Sequence, residues 1–258
     1  MDMENRILIE LQQNPVSTTA PLGAPNWAGL TNPQFNQGVV DFCINAGYTK
    51  VMSLIARLEM FQTTVTIPVV PNQFYYQFNP PTAGSPRVAK LKRVQYTPTG
   101  LNYSYEYYRG MDFVSWNEFL DQTGNLYGLQ TGASSGTLPA IVSVVPGNKQ
   151  IALYPAGLLA TDTLTYIYAP LPTAGASTCP TLVNETDTIV LPTEYEEAIV
   201  QWALYILWSK ARVFDMKQEA YTQFKNELQD IYTNNSQLHP GDTNGFRMDD
   251  INDYIGSF

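Results

Sequence analysis

The hydrophobic period of this chain changes twice along its length, and the second change is abrupt. From Ile151 the segments IALYPAG and LTYIYAPLP read as a half-buried hairpin, and after a Pro-rich link LPTEYEEAIVQWALYILW reads as a helix. Thr193 and Glu196 have capping-box spacing, Thr-x-x-Glu behind Pro192, which predicts the helix start there. Strands that feed directly into capped C-terminal helices require an α+β fold.

The first change of period lies upstream. Val39, Val40, Phe42 and Cys43 form one helical patch before Gly47, and Val51, Leu54, Ile55, Leu58 and Phe61 form a second, giving one kinked helix or two consecutive ones that end near Gln62. Beyond Thr63 the period becomes two: TVTIPVVP, QFYYQF, RVAKLKRVQY, LNYSYEYYRG, AIVSVVPG, NKQIALYPA and TLTYIYAPL read as strands, with Pro146-Gly147-Asn148 turning between two of them. Trp116 to Leu120 has the look of a short helical turn. The strands and their short connections predict an antiparallel sandwich or barrel.

Ile199, Trp202, Ala203, Ile206 and Leu207 give the C-terminal helix its apolar stripe. A break at Val213 to Asp215 precedes a second stripe of Ala220, Phe224, Leu228 and Ile231, with a stop expected at Asn234-Asn235. Neither helical block covers its own apolar face, so both are expected to pack together as a bundle. The predicted organisation is an extended N-terminal arm over 1–31, a helical bundle from 32–62 and 193–235, an inserted β-domain over 63–192, and a tail over 236–258. The arm has one short apolar cluster, Ile7 to Leu11, and one large anchor, Trp27, which either enters a groove on a partner or folds back on its own chain.

Charge narrows the function classes. Only 14% of the 258 residues are charged, against roughly a quarter in typical domains, so the surface is largely neutral and polar, as suits contact with other protein chains. The formal net charge of −9 argues against sequence-specific nucleic-acid reading, which needs a basic face. Eleven acidic residues against five basic ones place a net −6 in the segment from Thr193 to Phe258. The basic residues Arg87, Lys90, Lys92 and Arg93 cluster on one strand, either as a solvated edge that resists sheet aggregation or as the partner of an acidic neighbouring subunit. No apolar run reaches the roughly 18 residues that would span a bilayer, and no membrane partner is expected.

A search for chemistry returns little. The lone histidine, His239, precedes Pro240 in the polar tail and offers no triad base. Cys43 and Cys179 form no metal or redox motif, and Asp249, Asp250 and Asp253 lack the glycine and bidentate glutamate of a calcium loop. Asp112, Glu118 and Asp121 are the carboxylates to test for glycoside chemistry, against a solvated loop as the plain reading. Tyr103, Tyr105, Tyr107 and Tyr108 are a stacking platform for sugars or else interface or core packing residues, and Trp202 and Trp208 are core or inter-subunit contacts.

The order of elements resembles the head-to-tail adaptor proteins of tailed bacteriophages. The resemblance rests on Leu153, Tyr154 and Pro155, then Tyr166 and Tyr168, the step Leu191-Pro192, Ala198 and Ala203 of the next helix, and Tyr221 and Phe224 of the last. It implies a structural, non-enzymatic virion protein without cofactor or metal, assembled in the host cytoplasm as a homo-oligomeric 12-mer ring beneath the portal protein. Such a ring extends the DNA channel without sequence-specific binding, serves DNA ejection and offers a docking surface to the tail. The resemblance assigns portal docking to the C-terminal tail, with Phe246, Ile251, Tyr254, Ile255 and Phe258 as its anchors. Arg87, Lys90, Lys92, Arg93, Trp202 and Trp208 are the expected subunit-interface residues. Trp27 and the loop 130–138 are expected to meet a tail nozzle or tail fibre protein. The alternative is a carbohydrate- or receptor-binding β-domain carried by the tyrosine strand.

Overall fold

The computed structural model describes residues 3–11, 35–56, 61–99, 112–123, 139, 141–155, 160–183, 187 and 189–238, with side chains through 231. The chain is α+β and divides into two compact units, Met1–Arg57 with Leu182–Phe258, and Leu58–Thr181.

The first unit is helical: α1 (Met3–Glu10), α2 (Gln37–Ile55), α4 (Glu196–Ala211) and α5 (Phe214–Leu238). Within the expected arm, Met3–Glu10 is helix, because Ile7 and Leu8 have an apolar surface to cover: both are fully buried, and α1 packs on α4 and α2, while residues 12–31 lie outside the described residues. Helix α2 begins at Asn36, whose side chain accepts the Val39 N–H at 3.1 Å. It runs unbroken through Gly47 and ends at Ile55, short of the expected Gln62. Its buried stripe is Val40, Cys43, Ile44, Gly47, Tyr48, Val51, Met52 and Ile55, whereas Phe42 is 62% exposed.

The chain returning at Leu182 is tied to α2 by side chains. Asn45 bonds both the N–H and the C=O of Leu182 at 2.8 Å, and the Tyr48 hydroxyl accepts the Val190 N–H at 3.1 Å. The predicted capping box is absent. Thr193–Tyr195 form a 3-10 turn instead, and α4 starts at Glu196 with Tyr195 at its N-cap position, whose side chain makes no capping bond and is fully buried. Helix α4 stops at Arg212, in the left-handed region at φ 60°. Helix α5 buries Ala220, Phe224, Leu228 and Ile231 as expected, each worth up to about 1.5–3 kcal/mol for the larger side chains. It continues past Asn234-Asn235 to Leu238, since asparagine lowers helix propensity without blocking the backbone bond.

Among the described residues the second unit holds two sheets, one ordered β1-β7-β3 and the other β2-β6-β5-β4, from β1 (Thr63–Pro68), β2 (Tyr75–Gln77), β3 (Arg87–Thr97), β4 (Asp112–Phe113), β5 (Ile141–Val145), β6 (Gln150–Tyr154) and β7 (Thr163–Leu171). Helix α3 (Trp116–Thr123) stands between β4 and β5 in sequence. The expected β6–β7 hairpin does not form: each strand is central in a different sheet. Nor are the sheets wholly antiparallel, because β4 pairs parallel with β5. The true hairpin is β5–β6, with Val145 opposite Gln150 across the turn at Pro146-Gly147-Asn148, where Gly147 takes φ 77°.

One buried cluster draws on both sheets, with Val94, Tyr96, Leu164, Tyr166 and Tyr168 from one and Tyr76, Val142, Ile151 and Leu153 from the other. On its opposite face the second sheet receives Phe119 of α3 against Val145 and Ala152. Coverage on both faces is why Ile151, Ala152 and Leu153 are all fully buried in succession. At the end of the β3–β7 pair, the buried Asp162 carboxylate accepts from the Tyr96 hydroxyl, from the Thr99 N–H at 2.7 Å and from the Thr99 hydroxyl at 3.1 Å.

Candidate functional site

The surfaces available for contact are built from aromatic rings and lysines. In the helical unit α4 offers Trp202 and Tyr205, three residues apart and so on one face, with ring centroids 5.0 Å apart. Helix α5 answers with Phe224, 4.8 Å from Trp202, and Tyr221, 5.6 Å from Tyr205. Four lysines then sit over rings: Lys50 over Trp202, Lys210 over Phe42, Lys217 over Tyr205 and Lys225 over Tyr221, each at 4.9–5.1 Å from the centroid. Partial burial lowers the Lys50 pKa from its ordinary value. Trp202 is thus held among rings of its own chain, and Trp208 meets Phe35 edge-on at 6.3 Å. Both indoles remain half-buried, which leaves part of each ring at the surface.

Arg6 of α1 is paired with Glu197 and lies 3.8 Å from Glu196, both in the first turn of α4. Glu197 also accepts from Gln201 at 2.7 Å. This ionic contact fixes α1 against the start of α4, where acidic side chains complement the helix dipole.

The basic strand lies at an edge. β3 is the outer strand of the β1-β7-β3 sheet among the described residues, and its pairing with β7 slips between Val88 and Lys90 and again between Leu91 and Arg93. These bulges break the two-residue alternation, so the exposed positions become Arg87, Lys90 and Arg93, every third residue, while Lys92 is half-buried. Bulges and outward cations are the usual protection of an open sheet edge.

Trp27, the anchors Phe246, Ile251, Tyr254, Ile255 and Phe258, the loop 130–138, the tyrosines 103, 105, 107 and 108, and His239 lie outside the described residues. Of the carboxylates considered for catalysis, Asp112, Glu118 and Asp121 are all exposed, and Glu118 accepts from Gln122 one turn on, a solvated helix face. Cys43 and Cys179 are buried and not joined in a disulfide; burial raises the Cys43 pKa, with Lys210 opposing. Among the described residues no group of three or more His, Cys, Asp or Glu could hold a metal ion, and no helix is long and apolar enough to cross a membrane.

Most of the motif residues noted in the sequence are packing residues. Leu153, Tyr166, Tyr168, Ala198, Ala203 and Phe224 are fully buried and Leu191 nearly so, Tyr154, Pro155 and Tyr221 are half-buried, and Pro192 is exposed; Tyr221 belongs to the surface row. Sequence reasoning missed that row, although the four-residue spacing Lys217, Tyr221, Lys225 was a readable signal.

A search of curated proteins finds no match. A family model described as SU10 adaptor protein matches residues 6–244, which takes in the second part of α1, both sheets and the whole of α5. A match of that extent, over an α+β chain whose motif residues hold its cores, places the chain in the SU10 adaptor protein family, the phage head-to-tail adaptors, as a structural component of the virion.

Proposed function

We propose that this protein is one subunit of a dodecameric ring set between the portal and the tail, extending the DNA channel and presenting the surface on which the tail docks. The observation that carries this reading is the adaptor family match over residues 6–244. Low charge and half-buried aromatic rings on the helices support protein contact, and an excess of carboxylates supports a channel past which DNA slides without adhering. In this reading the helical unit is a bundle, and the unit from 58 to 181 is a small sandwich inserted into it, a view supported by the single core cluster shared by two sheets.

The segment after α5 docks on the portal through Phe246, Ile251, Tyr254, Ile255 and Phe258. The arm with Trp27 and the loop 130–138 face the tail nozzle or tail fibres. The test is truncation after Leu238, the last residue of α5. The truncated protein should keep its circular dichroism spectrum and melting temperature yet fail to co-sediment with portal rings. Undiminished co-sedimentation would remove the tail from the docking role.

A further inference from the structure

The charges of α5 are sorted around its axis. Its lysines, Lys217 and Lys225, stand in a row with Tyr221 at four-residue spacing. Asp215, Glu219, Gln223 and Glu227 form another four-residue row, offset from the first by two residues. At about 3.6 residues per turn, that offset puts the rows on opposite sides of the helix. The buried stripe Ala220, Phe224, Leu228 and Ile231 runs between them. Asp230 is exposed on the acidic side, and no charge of α5 enters an ion pair among the described residues.

A solvated helix with two lysines and four carboxylates ordinarily gains from placing opposite charges four residues apart, and here Asp215 and Glu219 instead place like charges at that spacing. The arrangement gives α5 no ion pair within the helix among the described residues. The basic flank also continues beyond α5: Lys217 covers Tyr205, Tyr205 lies tilted against Trp202, and Lys50 covers Trp202. One side of the helical unit is therefore cationic and aromatic, and the other side of α5 is acidic.

We infer that the Lys217–Tyr221–Lys225 flank of one copy receives the Asp215–Glu219–Glu227 flank of the next. The occupant is a second copy because the complementary flanks are both on this chain. A molecule with a net charge of −9 also needs locally opposed charge to approach itself. Because the two flanks differ, the contact is head-to-tail, and its repetition generates a ring or an open helix, not a closed two-fold dimer. The inference rests on the ring reading and names the faces that build it.

Two full-length variants test it under the conditions that assemble the wild type: Lys217→Glu with Lys225→Glu, and Asp215→Lys with Glu219→Lys. Each alone should require at least about tenfold more protein to assemble, by sedimentation velocity, because like charges then meet at every contact. Mixed in equal amounts they should assemble again, since alternation of the two restores opposite charges at each contact and an even-membered ring accommodates it. Recovery on mixing also excludes misfolding as the cause of the single-variant defects. Assembly of either variant at the wild-type concentration would overturn the inference and leave the ring reading standing, as would failure to recover by variants whose circular dichroism is native. A lysine variant whose only loss is retention of duplex DNA would show that the basic flank meets phosphate instead. Wild-type protein that forms no oligomer, alone or on portal rings, would remove the ring reading itself.

Discussion

Gly47 of α2 lies against the main-chain carbonyl of Ile199 in α4: a Cβ at position 47 would stand 2.6 Å from that oxygen. The residue read as a helix interruption is thus the point at which two helices approach. Its neighbour is backbone and cannot swing aside. Gly47→Ala should destabilise the protein by about 1–3 kcal/mol through overpacking, despite an intrinsic helix gain of up to about 1 kcal/mol. Urea unfolding followed by circular dichroism measures this, and a stabilised variant would show that the helices separate at no cost.

Two tyrosines of the shared β core should respond oppositely to loss of their hydroxyls. The Tyr76 hydroxyl donates to the Val70 carbonyl at 3.0 Å and accepts the Val70 N–H at 3.1 Å, whereas the fully buried Tyr166 hydroxyl has no partner among the described residues. Tyr76→Phe should cost about 1–2 kcal/mol, and Tyr166→Phe should be neutral or stabilising by up to about 1 kcal/mol. Paired denaturation curves decide it: equal losses in both variants would mean that Tyr166 is satisfied in solution.

Asp162 closes the β3–β7 end by accepting three bonds while 1% exposed. Asp162→Ala strands the Tyr96 hydroxyl and the Thr99 N–H, for an expected loss of about 2–4 kcal/mol. Thermal melts at neutral pH should show it, and an unchanged melting temperature would mean that water replaces the carboxylate.

Alkaline pH should unfold the chain through its buried phenols. Burial raises the pKa of Tyr76, Tyr166 and Tyr168; Tyr76 adds to the shift at Tyr166, while the Ser85 hydroxyl partly offsets it at Tyr168. A raised folded pKa gives stability that is whole below the unfolded value near about 10 and is lost as pH rises beyond it, because the unfolded chain releases protons first. Each such group lowers stability by about 1.4 kcal/mol per pH unit in that window. Tyrosinate absorbance should rise cooperatively with loss of sheet signal; independent titration of all tyrosines before unfolding would contradict the core assignment.

How far the sequence was legible depends on the range of the forces concerned. The α5 stripe, the α4–α5 break and the Pro146-Gly147-Asn148 turn follow from local periodicity and turn chemistry, and all three are present. Partner choice between strands is not local. β6 and β7 follow one another in sequence, but each is flanked by two other strands, and the tyrosines of β7 turn into a core shared with β6 across the sheets. The Thr193–Glu196 box yielded to a 3-10 turn that lets Tyr195 reach full burial, a tertiary gain exceeding a cap worth about 1 kcal/mol. At the candidate surfaces, Arg87 to Arg93 and Trp202 were legible as residues but not as geometry. The β3 bulges and the ring contacts of Trp202 depend on neighbours distant in sequence.

The central claim is that this chain builds a ring at the head–tail junction. Electron microscopy of the full-length protein mixed with its portal addresses that directly: the account predicts an added layer with twelvefold symmetry seated on the portal ring. Portal particles that remain bare, beside protein that stays monomeric at every ratio tried, would contradict it.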